Sequence, residues 1–316
     1  MAEVAKKTVP LIKWQLPMKR VLYALTPAVI GSIYFFGWRS LLVLLVVNIA
    51  GFLTEYCFTK YYKEPVSSAV FVSNVLFALI LPPTLPIWMA VIGIVFGILF
   101  GKMVFGGFGK NIFNPALVGR AFIYVNFSVN MNNKWFNPFS GFPGGFAKFA
   151  PDTITSATPM RILAEGGDVP ISNLFWGNIS GCFGETSAVL LILGGLYLLW
   201  KKAANYRIVI GCFLSTIILQ AVLWKSGVAT AIDPVSAILS GGFMIGVFFM
   251  ATDPVSAPQT QQARWIYGVL IGLLTVIIRV FSVWAEGMMF AILLANMFAP
   301  IIDISVRGYQ KRKVKS

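Results

Sequence analysis

Apolar and polar residues follow one another along this chain in long blocks rather than in short alternation. Near-continuous apolar runs cover 20–36, 40–58, 66–81, 86–105 and 114–128, then 186–200, 206–224, 235–251, 265–283 and 287–305. The longest polar stretch separates the two sets, at 129–185. Most runs are long enough to cross a hydrocarbon layer of about 30 Å as a helix, and 114–128 is short for that task. Inside lipid every backbone N–H and C=O must find a partner within protein, so the runs are read as helices. The expected class is an all-α membrane protein with about ten transmembrane helices.

Composition supports lipid as the solvent. Hydrophobic residues make up 58% of the 316 residues and charged residues only 11%, against about 25% charged in ordinary soluble domains. A net charge of +14 would suggest nucleic acid in a soluble chain. Here the basic residues stand at the ends of apolar runs, so no nucleic-acid partner is expected and the charge orients the chain in a membrane. There is no histidine, and Cys57, Cys182 and Cys212 form no CxxC pair. Histidine-ligated haem, a four-thiolate cluster and a His-rich zinc site are therefore not expected from this chain alone. No cleavable signal peptide is expected, because the first apolar run leads directly into the second.

Loop charges give an orientation. With the N-terminus in the cytoplasm, 18 Lys and Arg residues fall on the inner side and five (Arg39, Lys134, Lys148, Arg161 and Lys225) on the outer side. Lys102 belongs to the inner set in this count, while Arg120 and Arg279 fall within runs. That bias predicts cytoplasmic termini, an extracytoplasmic 129–185 segment and an inner-membrane location. The resulting divisions are 1–19, a first five-helix set at 20–128, the outer loop 129–185, a second set at 186–305 and a basic tail at 306–316.

The two sets share a signature. Glu64-Pro65-Val66-Ser67-Ser68 opens the third run of one, and Asp233-Pro234-Val235-Ser236-Ala237 the third run of the other. Two repeats of five spans must have opposite orientations, as in many transporters. Acid–Pro–Val–Ser is also simply a good helix start, with an acidic cap and proline in the first turn.

Two places suggest broken helices. Gly106–Ala116 is rich in glycine and places Asn114 and Pro115 at a helix start, before a short run that contains Arg120. Asp253-Pro254-Val255-Ser256-Ala257-Pro258 repeats an acid–proline start on the same side. A helix starting below the membrane surface aims free N–H groups into the protein, and an arginine inside a span faces the interior. Asn111, Asn114, Arg120 and Asp253 are thus expected to line a polar pocket. Ordinary capped loops are the plain alternative.

The outer loop contains Asp152-Thr153-Ile154-Thr155-Ser156-Ala157-Thr158-Pro159-Met160-Arg161. By itself this is a turn-prone Ser/Thr/Pro segment. Its Thr155-Ser156-Ala157-Thr158 string resembles the flavinylation motif of the RnfD/NqrB family, with Ser156 where many members carry glycine. The glycine-rich Gly106–Ala116 stretch and the Asp233-Pro and Asp253-Pro contexts are similar too, and the likeness extends from the first span to the basic tail. A long N-terminal extension is lacking, which favours the Rnf member.

That resemblance implies two inverted five-helix repeats with half-helices and an extracytoplasmic flavin-bearing loop. It implies FMN joined through its phosphate to Thr158 by a dedicated flavin transferase. Asp152 and Arg161 stand close enough in sequence to orient the cofactor or its phosphate, or to be plain exposed loop charges. The resemblance also implies a non-covalent riboflavin near Asn111 and Asn114. The chain would be the D subunit of an Rnf complex with subunits A, B, C, E and G. Through those partners it would pass electrons from ferredoxin to NAD+, coupled to Na+ or H+ movement. A threonine hydroxyl is a weak nucleophile, which fits the need for an external catalyst. Trp135, Phe136, Phe139, Phe142, Phe146 and Phe149 could pack on the ring, or form an interfacial belt. Two other readings stay open: a channel or transporter with urea-channel-like repeats and no flavin, and a purely structural assembly subunit.

Overall fold

A computed structural model describes residues 10–152, 154–155, 157–282 and 287–315. The first half contains α1 (Leu16–Phe36), α2 (Trp38–Tyr62), α3 (Ala69–Leu79), α4 (Ile87–Ile98) and α5 (Pro115–Asn126). A π-helical turn at Leu99–Met103 extends α4. The segment between the two halves contributes the short helices α6 (Ser128–Asn132), α7 (Pro159–Ala164) and α8 (Ile171–Trp176). The second half contains α9 (Ala188–Trp200), α10 (Tyr206–Lys225), α11 (Pro234–Leu239), α12 (Phe243–Ile245) with a π turn at Gly246–Met250, α13 (Gln261–Phe281) and α14 (Gly287–Lys315).

Among the described residues, four helices are long and apolar enough to cross a membrane: α2, α10, α13 and the Gly287–Lys313 part of α14. Shorter apolar helices accompany them at Ala69–Leu79, Ile87–Met103 and Ala188–Trp200. The long helices divide their surface as lipid requires. On α2, Leu42, Leu45, Ile49 and Leu53 are exposed and recur every three or four residues, whereas Val43, Val47 and Gly51 are buried. On α10 the exposed stripe is Ile210, Leu214, Ile218 and Val222. One apolar core, including Leu25, Phe77, Leu117, Phe243 and Ile292, joins residues from both halves.

Small residues set the contact between α10 and α13. Gly268 and Gly272 on α13 lie four apart and face α10, where a Cβ on either would stand 2.5 Å from the carbonyl oxygen of Ile208 or of Cys212. This is the small-xxx-small arrangement that lets helices in lipid gain packing energy without a hydrophobic drive. α1 packs on α9 and so ties the halves together.

The acid–proline signatures do not fold alike. Asp233 caps α11, its Oδ1 accepting from the N–H of Val235 and Ser236, both at 2.9 Å. After Glu64, by contrast, Val66–Ser67 pairs in parallel with Ile12–Lys13 as a two-residue ladder, and α3 starts only at Ala69. Asp253 accepts from Val255 N–H at 3.0 Å, yet the chain turns there and the helix begins at Gln261. Pro258 lacks an N–H and restricts Ala257 before it, so a helix cannot run through the segment. The 235–251 run is likewise not one helix. Gly241 (φ 62°) and Gly242 (φ 68°) break it, in a conformation other residues rarely adopt.

Candidate functional site: a cavity at Thr158 and a polar cluster at the opposite end

Thr158 begins α7, with extended backbone angles (φ −96°, ψ 160°) and no hydrogen bond from its side chain to the helix. Its carbonyl accepts from the N–H of Arg161 and Ile162 at 3.0 Å. The half-buried residue borders a cavity of about 570 Å³ whose walls include Tyr124, Trp135, Gln220 and Arg279. That volume lies within the range of about 300–1,000 Å³ usual for cofactor pockets.

Local contacts hold the threonine there. Pro159 and Met160 are buried, and Met160 Sδ accepts from Ser240 Oγ at 2.9 Å. Residues Trp135–Phe136 pair antiparallel with Ile154–Thr155, which brings Trp135 against the same segment. Trp135 is buried and its indole N–H donates to the Asn132 carbonyl at 3.1 Å.

The other residues expected near Thr158 divide. Arg161 borders the same cavity but is exposed, and its Nε pairs with Glu165 Oε1 at 2.8 Å. Asp152 is exposed and is not among the residues lining the cavity. Ser156 lies outside the described residues. Of the six aromatic residues expected around the loop, only Trp135 lines the cavity. Phe139 and Phe146 line a separate apolar groove with Tyr23 and Tyr34, and Phe142 is 92% exposed.

Inside the opposite end of the protein, Asn111, Asn114 and Asp253 do converge. They border a small cavity of about 50 Å³, together with Lys102, Phe108 and Thr252. Asn114 is the cap of α5, its Oδ1 accepting from Ala116 N–H at 3.0 Å. Asn111 Nδ2 donates to the Phe113 carbonyl at 3.0 Å. Both side-chain amides already serve the backbone, and the space between them holds a few waters rather than a three-ring system.

Arg120 is not part of this cluster. Six residues along α5 from Asn114 is about 9 Å of rise, which carries it toward the middle of the protein. There it is buried, and its Nη1 pairs with Glu185 Oε1 at 2.9 Å while Nη2 approaches Cys182 Sγ at 3.4 Å. The interior orientation is the expected one; the grouping with Asn111, Asn114 and Asp253 is not what the fold produces.

Two features escaped sequence reasoning. Lys102, which the charge pattern assigns to a cytoplasmic loop, sits in the π turn after α4 with both partners of its ion pair buried: Nζ lies 2.6 Å from Glu55 Oε2, each side chain 2% exposed. Glu55 Oε1 also accepts from Ser67 N–H at 3.1 Å. Arg279, in sequence only a charge within a run, is the principal cation at the Thr158 cavity. Its guanidinium donates to the carbonyls of Ala237 (2.6 Å), Ser240 (3.2 Å) and Gly241 (2.7 Å). The available signal was the combination of an arginine late in one run with a double glycine midway along another.

Likeness to known proteins runs over nearly the whole of this architecture. The model of a family described as "NQR2, RnfD, RnfE family" matches residues 12–311. The NqrB component of the Na+-translocating NADH-quinone reductase of Ectopseudomonas mendocina is 42% identical over 287 residues, covering 86% of this chain and 67% of the relative. The same component from Klebsiella pneumoniae is 38% identical over 307 residues (89% of this chain, 71% of the relative). That from Neisseria meningitidis is 38% identical over 295 residues (90% and 70%).

Proposed function

The chain belongs to the NQR2, RnfD, RnfE family, and from that premise we propose that it is the flavin-bearing membrane subunit of a cation-translocating oxidoreductase complex. Relatives named as subunits of such a complex support the enzyme-subunit role. In this reading the ten apolar blocks form two inverted five-helix repeats. Both termini lie in the cytoplasm, and residues 129–185 lie outside.

FMN is held covalently through its phosphate at the Thr158 hydroxyl. The observation that carries this is the pairing of that side chain, uncommitted to helix capping, with a cavity of about 570 Å³ directly beside it. The cavity's donor set suits a flavin: Trp135 and Tyr124 offer ring surfaces, and Gln220 and Arg279 offer polar edges. When bound, FMN supplies one- and two-electron redox chemistry. The residues of the chain do the rest. Met160 and Pro159 fix the attachment point, and the buried Trp135 excludes water from one wall. Arg279 places a fixed positive charge at the cavity, where developing negative charge is stabilised. Ser156, Asp152 and Arg161 are assigned to recognition by the flavin transferase rather than to the ring.

The complex is assigned either as an Rnf-type ferredoxin:NAD+ oxidoreductase or as an NADH-quinone reductase. The names of the relatives at 38–42% identity favour quinone as the acceptor. Donor-driven Na+ or H+ uptake by the purified complex, with NADH plus quinone or with reduced ferredoxin plus NAD+, separates the two. A second, non-covalent flavin (riboflavin) at Asn111 and Asn114 requires a larger opening than the cavity of about 50 Å³ now beside them. One flavin per chain by absorbance would sink that assignment.

The central test is in-gel fluorescence. Wild-type chain, matured with its flavin transferase, should carry a fluorescent band through denaturing electrophoresis, and Thr158→Ala should abolish it. An intact mass equal to the bare polypeptide in the mature wild type refutes the proposal and leaves the transporter reading.

A further inference from the structure

A groove of about 800 Å³ runs along the surface between α1 and α9. On α1 it reaches from Tyr23 to Tyr34, about 16 Å of rise, in the half of the helix nearer Phe36. Gly31 lets the two helices close beneath it, because a Cβ there would stand 2.4 Å from Leu190 Cδ1 of α9. The 139–146 loop forms a wall and is pinned to α1. Phe139 N–H donates to the Phe35 carbonyl at 2.9 Å, and the Tyr34 hydroxyl to the Gly141 carbonyl at 3.3 Å. Gly145 lies so close that a Cβ would stand 2.2 Å from the Ile33 carbonyl oxygen. Trp176 at the end of α8 and Ser187 at the start of α9 complete the lining at the same end.

Length and polarity select the occupant. A hydrocarbon layer is about 30 Å thick, so the groove matches a single leaflet. A partner's transmembrane helix would need a seat of about twice that length. The lining is uncharged, and its polar and amphipathic groups gather at the Phe36 end of α1. Tyr34 and the exposed Trp176 stand there, of the residue types that lie at headgroup level. Ser187 borders the groove, is 4% exposed, and its hydroxyl has no hydrogen-bond partner among the described residues. A buried polar group of this kind calls for one. Lys148 is exposed beside the same end, with Nζ 5.6 Å from the centre of the Phe139 ring. It forms no ion pair among the described residues.

We propose that this groove is a binding site for a glycerophospholipid of net negative charge. One acyl chain lies along α1 from Tyr34 to Tyr23, an ester carbonyl accepts from the Ser187 hydroxyl, and the phosphate pairs with Lys148. An unpaired cation at the mouth, with no acidic residue in the lining, attracts a net negative headgroup and repels the ammonium of a zwitterionic one. The pinned loop gives the acyl chain a seat that is already formed, which lowers the ordering cost of binding. The site needs only a membrane around the chain and is independent of any flavin at Thr158.

The whole complex is reconstituted in liposomes of phosphatidylethanolamine and phosphatidylglycerol in equal parts. A trace of either lipid carries a photoreactive diazirine midway along one acyl chain, and the labelled peptides are mapped by mass spectrometry. The phosphatidylglycerol probe should label the groove peptides, 23–35 and 187–190, roughly fivefold more strongly than the phosphatidylethanolamine probe, the factor that one lysine at a membrane surface contributes. The exposed stripes of α2 and α10 should take both probes alike. Lys148→Glu should abolish the preference at the groove, and Ser187→Ala should weaken groove labelling by both probes roughly threefold. Equal labelling of the groove by the two probes in wild type overturns the proposal, as does groove labelling no stronger than that of the stripes. Groove peptides left unlabelled, as a covering partner subunit would leave them, overturn it too. These three outcomes are read in wild-type protein and stand where a variant does not assemble. An assembled Lys148→Glu complex that keeps the full preference overturns the pairing with phosphate.

Discussion

Removing the Lys102 ammonium while keeping its bulk, as in Lys102→Met, isolates the Glu55 carboxylate inside the first half of the protein. The magnitude follows from the geometry. At 2.6 Å and an effective dielectric of about 20, the attraction between unit charges is about 6 kcal/mol. Desolvation of the two ions, at several kcal/mol each, cancels most of it, so the intact pair contributes little net stability. The single variant does not share that balance. Glu55 keeps one hydrogen bond, from Ser67 N–H, and remains a buried charge without its cation, at a cost of about 3–5 kcal/mol. In a protein of this size that corresponds to a fall of roughly 6–15 °C in melting temperature. Scanning fluorimetry of the purified chain in detergent reads it, with Glu55→Gln and the Glu55→Gln/Lys102→Met double variant alongside. The double variant should recover most of the loss, because no unpaired charge stays buried. A Lys102→Met chain melting within about 2 °C of wild type refutes the reasoning.

Two further outcomes follow from packing and capping. Gly272→Leu forces a side chain into the carbonyl of Cys212 and the hydroxyls of Ser215 and Thr216. It should separate α13 from α10 at a cost of about 3 kcal/mol or more, the upper end of ordinary overpacking, and show as loss of the monodisperse peak in size-exclusion chromatography. Asp233→Ala removes the acceptor of two N–H groups at the start of α11 and should lower stability by about 1 kcal/mol, with Asp233→Asn restoring most of it in the same melt.

What was legible in the sequence followed directly from the solvent. The apolar blocks at 40–58, 206–224, 265–283 and 287–305 became α2, α10, α13 and α14 because a long apolar run has one stable conformation in lipid. Asn114-Pro115 and Asp233-Pro234 became capped helix starts because cap and proline act within one turn. The cavity at Thr158 was legible only at Trp135, Thr158 and Arg161. Its other walls come from α5, α10 and α13, and no local pattern announces which faces of distant helices will meet. Glu64 and Asp253 misled for the opposite reason. Their local signature is that of a helix start, but a strand pairing with Ile12–Lys13 and a second proline at 258 took precedence.

The charges within spans show what the broken backbone requires. Irregular backbone at membrane depth survives only where protein supplies the partners that water would provide. α11 ends after six residues, leaving carbonyls that the helix itself does not use, and Arg279 donates to three of the carbonyls at that break. Lys102 stands in a π turn, where the helical ladder is already disturbed, and its charge is balanced from α2 by Glu55. Arg120 and Glu185 meet beside Gly242. Each of these buried charges therefore lies next to a departure from regular helix. A charge inside an apolar run is then first a sign of broken backbone close by, and a ligand site only where, as beneath Thr158, a cavity of sufficient volume opens beside it.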